Sequence, residues 1–184
     1  MKRVGLNKVF IATSLDGFIA DASGQVGFLD TFPMPEGDDM GYYAFIAQID
    51  AILMGRKSFE SVLGFGVEWP YTKPVFVWSS TLREVPEQLS SKVKLVSGGL
   101  NEILQTIHDA GYLNLYVDGG QVIQSFLRQE LIDEMTITTI PVLLGAGIPL
   151  FGPLNEMIKF TCVHSKVYET GLVQSRFDSS LRSQ

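Results

Sequence analysis

Leu115-Tyr116-Val117-Asp118-Gly119-Gly120-Gln121-Val122-Ile123 is the stretch on which the reading of the fold turns. A short apolar run ends at a glycine pair, and an amphipathic run from Gln121 to Arg128 follows, the pattern of a strand, a tight turn and a helix. Glycines at such a junction let the backbone approach a bound group closely. They also aim the first amides of the helix at it, the geometry that receives a phosphate. The same residues satisfy a plainer reading, a tight turn with no ligand, and the pair is not the full glycine fingerprint of dinucleotide-binding folds.

Two further junctions of the same kind lie upstream. Ala51 to Met54 reads as an apolar strand and Lys57 to Val62 as the start of a helix, with Gly55-Arg56-Lys57-Ser58 between them. A guanidinium and a hydroxyl there could add charge-assisted bonds to a ring of amides, or could be a solvated helix start. Pro74 to Trp78 reads as a strand, and Trp78-Ser79-Ser80-Thr81, with Arg83 close behind, places hydroxyls and a cation where they could surround another phosphate.

Val9 to Thr13 reads as a buried strand that closes on the turn-forming pair Asp16-Gly17. Asp38 to Gln48 reads as a helix capped by Asp38 or Asp39. Val93 to Val96 is a further strand, and Leu100 to Ala110 a helix with Leu100, Ile103, Leu104 and Ile107 on one face. Met135 to Ile140, Phe160 to Tyr168 and Leu172 to Phe177 read as late strands, the last two joined by a turn at Thr170-Gly171. Strands alternating with helices imply an α/β fold with a mostly parallel sheet and an antiparallel C-terminal hairpin. The segment from Gly24 to Gly37 is the longest irregular one, and its Phe28, Leu29 and Phe32 look exposed, as in a lid or pocket wall.

Composition limits the rest. The 184 residues suit one well-buried domain spanning 1-184, and 46% hydrophobic against 18% charged residues excludes a disordered chain. A net charge of -6 leaves no footprint for nucleic acid or an anionic membrane, so any phosphate needs a local site. The single cysteine, Cys162, can form no intrachain disulfide and cannot supply the clustered thiolates of a zinc deaminase, which fits a reducing, cytoplasmic setting. Lys2 and Arg3 hint at a leader, but Asn7, Lys8 and Asp16 interrupt the apolar stretch such a leader needs. The run from Ile137 to Phe151 is too short to span a bilayer. His108 and His164 lack metal-ligand spacing, and no metal is expected.

Three segments, Ser14-Leu15-Asp16-Gly17-Phe18-Ile19, Gly55-Arg56-Lys57-Ser58-Phe59-Glu60 and Val117-Asp118-Gly119-Gly120-Gln121-Val122-Ile123, together resemble the dinucleotide-binding skeleton of the dihydrofolate reductase superfamily. A fourth, Leu131-Ile132-Asp133-Glu134 followed by Ile140 to Phe151, resembles the signature of the riboflavin-biosynthesis reductase C-terminal domain family within it. The resemblance implies a dihydrofolate-reductase-like three-layer fold and an NADPH-dependent reductase acting on a small heterocycle, similar to 5-amino-6-(5-phosphoribosylamino)uracil reductase. It implies a homodimer. By resemblance, Gly119, Gly120, Gln121 and Val122 meet the cofactor on its diphosphate and nicotinamide side. Gly55, Arg56 and Ser58 hold its phosphates, and Ser79, Ser80 and Arg83 its 2′-phosphate. Ala12, Gly17 and Ile19 pack against the nicotinamide.

Asp39 divides the enzyme readings. Its spacing from Gly55-Arg56 is close to that of the carboxylate with which dihydrofolate reductases anchor a pterin, where it would accept paired N–H bonds and assist ring protonation. Otherwise it caps a helix. From Val9 to Gly55 there is no Lys, Arg or His, but there are Asp16, Asp21, Asp30, Glu36, Asp38, Asp39 and Asp50. That region builds much of the substrate side in the superfamily, and a ribose phosphate there would meet repulsion unless basic residues reach in from elsewhere. Reduction of a pterin-like ring is therefore a second enzyme reading, and a nucleotide-binding protein without turnover a third.

Overall fold

The computed structural model describes residues 5–179; Lys2 and Arg3, which hint at a leader, lie outside them. Eight strands, numbered by chain position, form one sheet in the order β5 (Val93–Val96), β4 (Val75–Trp78), β3 (Ala51–Gly55), β6 (Leu115–Asp118), β1 (Asn7–Ser14), β7 (Glu134–Ile140), β10 (Val173–Ser179) and β9 (Phe160–Val167). The first six run parallel, and β10 and β9 close the far side antiparallel. Parallel neighbours need long return paths, and the helices provide them.

Side-chain alternation along the strands assigns the layers. On one face Ala51, Leu53, Leu115 and Val117 pack under α3 (Leu100–Asp109) and α4 (Gly120–Arg128). On the other, Ile52, Met54, Val75, Val77 and Tyr116 pack with Phe45 of α1 (Tyr42–Ile46), Ile49 just after it and Phe59 of α2 (Arg56–Gly64). The result is helix, sheet, helix, the dihydrofolate-reductase-like three-layer arrangement, with the C-terminal β9–β10 hairpin at one side. The four apolar residues of α3 expected to share a face are all buried together. Glu102 accepts the Gly99 N–H at 2.9 Å and anchors the start of that helix.

Three expectations change. The helix foreseen over 38–48 contracts to Tyr42–Ile46, because Met40 and Gly41 both take positive φ (55° and 81°) and turn the chain before helical bonding starts. The Gly24–Gly37 segment carries a 3-10 turn at Gly27–Thr31, and Phe28 is buried rather than exposed, in a third cluster with Met40, Ile140, Tyr168 and Leu172. Two short strands not foreseen, β2 (Phe18–Asp21) and β8 (Gly147–Pro149), pair antiparallel. They fold the 140–151 segment back over the turn that follows β1.

Phe126 is fully buried between α4 and the sheet. Phe126→Ala should cost about 3–5 kcal/mol in urea unfolding, the usual cost of a large core cavity. Met157→Ala, at a position 81% exposed, should leave the midpoint almost unchanged.

Candidate functional site

The chain leaves β3 toward β4 on one side and leaves β6 toward β7 on the other, so the two central strands diverge at their carboxyl ends. Open α/β sheets form their binding crevice at such a point. Met54 lies directly beside Asp118, and the next residues of each strand begin α2 and α4. Both helix N-termini thus face one edge of the sheet, with unpaired amides and the positive ends of their dipoles together.

The spacing between them depends on glycine. Gly119 has φ +89°, and a Cβ there would stand 2.4 Å from Ser58 Oγ, across the crevice at the start of α2. A Cβ on Gly120 would press on Ile19 Cδ1 at 3.0 Å and on the Pro149 carbonyl at 3.2 Å. A Cβ on Gly55 would touch Val122 at 3.3 Å. The structure therefore brings Gly55, Ser58, Gly119, Gly120 and Ile19 to one place. Gln121 is exposed on the first turn of α4, whereas Val122 is buried under the junction and its side chain belongs to the core.

Arg56 is 43% exposed and paired with Glu60 at 3.0 Å, an i,i+4 contact at the mouth of the crevice. Gly55 pairs with Trp78, so the Ser79-Ser80 turn lies one strand further along the same edge. Ser79 Oγ accepts the N–H groups of Thr81 and Leu82 at 3.1 and 2.9 Å and holds that turn closed; Ser80 and Arg83 are exposed beside it. Gly17 (φ +83°) receives the Leu150 N–H on its carbonyl at 3.0 Å, which joins the turn after β1 to the end of β8. Asp16 ties the same turn to the following loop. It accepts from Ser14 Oγ at 2.6 Å and from the amides of Gly145 and Leu144 at 2.7 and 3.1 Å, and these bonds lower its pKa, Ser14 foremost. Ala12 packs against the third apolar cluster.

Asp39 is exposed, and both its oxygens are occupied, one by the Gly41 N–H at 3.0 Å and the other by the Tyr43 N–H at 2.6 Å. That is the geometry of a helix cap. Asp38 beside it accepts a hydrogen bond from Lys166 at 2.8 Å, and this bond with the lysine lowers its pKa.

A residue not singled out in the sequence is the more unusual acid here. Asp118, the last residue of β6, shares the Tyr116 face of the strand and is partly buried at the crevice. Burial raises its pKa to about 6, against a smaller opposing effect of the Gly119 amide and the Tyr116 hydroxyl. Its charge in turn adds to the burial that raises the pKa values of Tyr42, Tyr71 and Tyr116. The sequence signal was available: an acid closing an otherwise apolar strand just before the glycine pair, flanked by tyrosines that meet only in three dimensions.

The chain matches the model of the RibD C-terminal domain over residues 8–174. A protein of Shewanella sp. PV-4 assigned to riboflavin biosynthesis has a crystal structure 45% identical in sequence that covers 95% of this chain and 99% of its own, with a TM-score of 0.90. YwjB of Bacillus subtilis is 32% identical over 163 residues, 87% of this chain and 90% of that protein. Dihydrofolate reductase from Enterococcus faecalis, solved with NADP(H), shares the fold at 16% identity and a TM-score of 0.64, covering 97% of this chain and 98% of its own. The fold is the dihydrofolate-reductase-like one. Within it, the chain belongs to the RibD C-terminal domain family.

Two measurements check this description. Asp39→Ala should lower stability by about 1 kcal/mol in thermal unfolding and Asp39→Asn by only a few tenths, because asparagine caps nearly as well. For Asp118 the raised pKa fixes the sign: the folded state holds a proton that the unfolded state has released, so stability falls as pH rises from about 4 to about 6. Subtracting the stability–pH curve of Asp118→Asn from that of the wild type should isolate this fall.

Proposed function

We propose that the protein is an NADPH-dependent reductase that reduces a pyrimidine- or pterin-type heterocycle, similar to the uracil reductase of riboflavin biosynthesis. The observation that carries the reading is the convergence of the Gly55 and Gly119-Gly120 junctions, spaced so that a single Cβ on Gly119 would collide with Ser58. A cradle kept open by glycine between two helix N-termini suits a dinucleotide diphosphate. The residues present fit the group: backbone amides of α2 and α4 with Ser58 and Arg56 for the diphosphate, Ser80 and Arg83 beside the Ser79 turn for the 2′-phosphate, and Gly17 and Ile19 beside Gly120 for the nicotinamide side. When bound, the cofactor supplies the hydride, and the protein supplies orientation and exclusion of water.

The residues contribute in separable ways. Arg56 would exchange its exposed pairing with Glu60 for a charge-assisted bond to phosphate. The Asp16 bonds hold the turn that carries Gly17 in register with Leu150, so one wall of the crevice is set before any ligand enters. Asp39, in this reading, orders the start of α1 rather than meeting the substrate.

Self-association is part of the proposal. An open groove on the sheet face opposite the third apolar cluster is lined by Thr13, Leu15, Ile137, Thr139, Phe151 and Phe177. Leu15 and Phe151 are 60% and 49% exposed there. A second copy of the chain is the partner that would cover it, giving a homodimer in the cytoplasm.

Calorimetric titration should show NADPH binding more tightly than NADH, and Arg56→Ala should weaken NADPH roughly tenfold to a hundredfold, the loss of one charge-assisted contact of about 1.5–3 kcal/mol. Equal affinity for both cofactors would remove the 2′-phosphate assignment. Light scattering over a dilution series should give twice the chain mass of 20.3 kDa, and Phe151→Glu should return the protein to that single-chain value.

A further inference from the structure

On the sheet face that carries Phe45 and Phe59, aromatic rings from separate parts of the chain converge. Phe10 of β1 meets Tyr42 and Phe45 of α1, and Phe45 meets Tyr116 of β6, with ring centroids 5.7, 5.0 and 5.1 Å apart. A second run joins Phe59 of α2 to Trp69 and Trp69 to Tyr71, at 5.7 and 5.3 Å. The two runs approach each other at Tyr42 and Tyr71, which feel one another and the same Asp118 charge. Tyr42, Trp69 and Tyr71 each keep part of their surface open. Trp69 Nε1 itself is buried with no hydrogen-bond partner among the described residues, a donor withdrawn from water with nothing in exchange.

A phosphate held against these rings would need a base, and the bases lie elsewhere or are engaged. Lys166 reaches the start of α1 from β9, where Asp38 holds it at 2.8 Å and the Tyr168 ring lies 4.1 Å from its ammonium. Lys8 is at the far end of β1, bonded to Gln48 and Glu134. Lys73 precedes β4 at the amino edge of the sheet, opposite the edge that carries Asp118. Arg56 and Lys57 on the first turn of α2, and Arg83 beside the Ser79 turn, belong to the cofactor cradle. The loop from α2 to Trp69 exposes Leu63, Phe65 and Val67, and its charged residue is an acid, Glu68. No base is among the charged groups that act on Tyr42, Tyr71, Tyr116 or Asp118.

We propose that this aromatic wall sets substrate choice: it takes a flat heterocycle that bears a carbonyl and no phosphate, stacked on Tyr42 and Tyr71 with the carbonyl oxygen accepting the Trp69 indole N–H. This rests on the reductase reading above for the reaction, and on the wall itself for the choice of ligand. Stacking rewards ring area, and the buried indole N–H selects an acceptor. A phosphate dianion would lose hydration with no cation in return and would be repelled by Asp118. The molecule thereby keeps its bases on the cradle side for the phosphates of the cofactor and its rings on the α1 side for the ligand.

Calorimetric titration of the full chain, alone and with saturating NADP, compares three probes: a dihydropterin, ribosylaminouracil and its 5′-phosphate. The last two differ only in the phosphate, so their ratio reads charge. At least one unphosphorylated probe should bind about tenfold or more tighter than the phosphate, and the gap should narrow between about 0.02 and about 0.5 M salt as repulsion is screened. Trp69→Phe keeps a ring in the wall and removes the N–H. It should weaken the preferred probe roughly threefold to tenfold while NADPH affinity stays within about twofold, and in turnover it should raise KM rather than lower kcat. The wild-type comparison of probes and salt stands whether or not that variant folds.

Equal or tighter binding of the phosphorylated probe, or a gap indifferent to salt, would overturn the proposal. Unchanged probe affinity in Trp69→Phe would overturn the indole contact. Normal NADPH binding with no binding of any probe would overturn the proposal and leave the cofactor reading standing. Discrimination between the probes by a protein that fails to bind NADPH would overturn the reductase reading and leave the selectivity of the wall.

Discussion

The parallel pairing of β3 with β6 is the constraint on which the rest of the molecule depends. The chain must leave these neighbouring strands in opposite directions, because β4 and β5 lie beyond one and β1 and β7 beyond the other. It leaves them on opposite faces as well, with α2 against the Phe59 side and α4 against the Phe126 side. Two helix N-termini consequently meet over a single sheet edge with nothing but glycine between them. The unpaired amides of those first turns are a cost to the empty fold and an asset to any anionic ligand, so the same arrangement that completes the sheet also creates the site.

The walls of the site draw on separate parts of the chain. Asp16 pins the β1–β2 turn to the loop at 144–145, β2 pairs with β8, and Leu150 bonds to Gly17, so the 140–151 segment is a structural brace for the nicotinamide side. On the other face the Asp39 cap and the positive-φ residues Met40 and Gly41 start α1 where Tyr42 can approach Asp118. The acid and the cradle are contiguous in sequence, Asp118 followed by Gly119-Gly120. Yet they serve opposite electrostatic ends: the amides favour an anion, whereas burial raises the pKa of Asp118 to about 6. Separating them by the plane of the sheet edge lets both conditions hold within a few residues.

Local patterns were sufficient wherever the cause of an element was local. The apolar face of α3 and the strand at Val93–Val96 stand as expected, because propensity, periodicity and turn chemistry agree there. The two glycine junctions, Gly55 and Gly119-Gly120, were likewise legible, since glycines between a strand and a helix mark a place where the backbone must stay open. The shortened α1 and the buried Phe28 were not, because positive φ at Met40 and a contact between Phe28 and residues more than a hundred positions away leave no periodic trace.

What the sequence by itself determined is the three-layer α/β frame, the order of its motifs and its family, all of which follow from periodicity and short motifs read in order. What only the tertiary structure decided is which residues meet. It packed Ala12 against the third apolar cluster and turned Val122 into the core. It occupied both oxygens of Asp39 with backbone amides and closed three tyrosines around Asp118. The physical reason is that a side chain's protonation and partners depend on burial and on neighbours brought by long-range strand pairing, and neither is a property of local sequence.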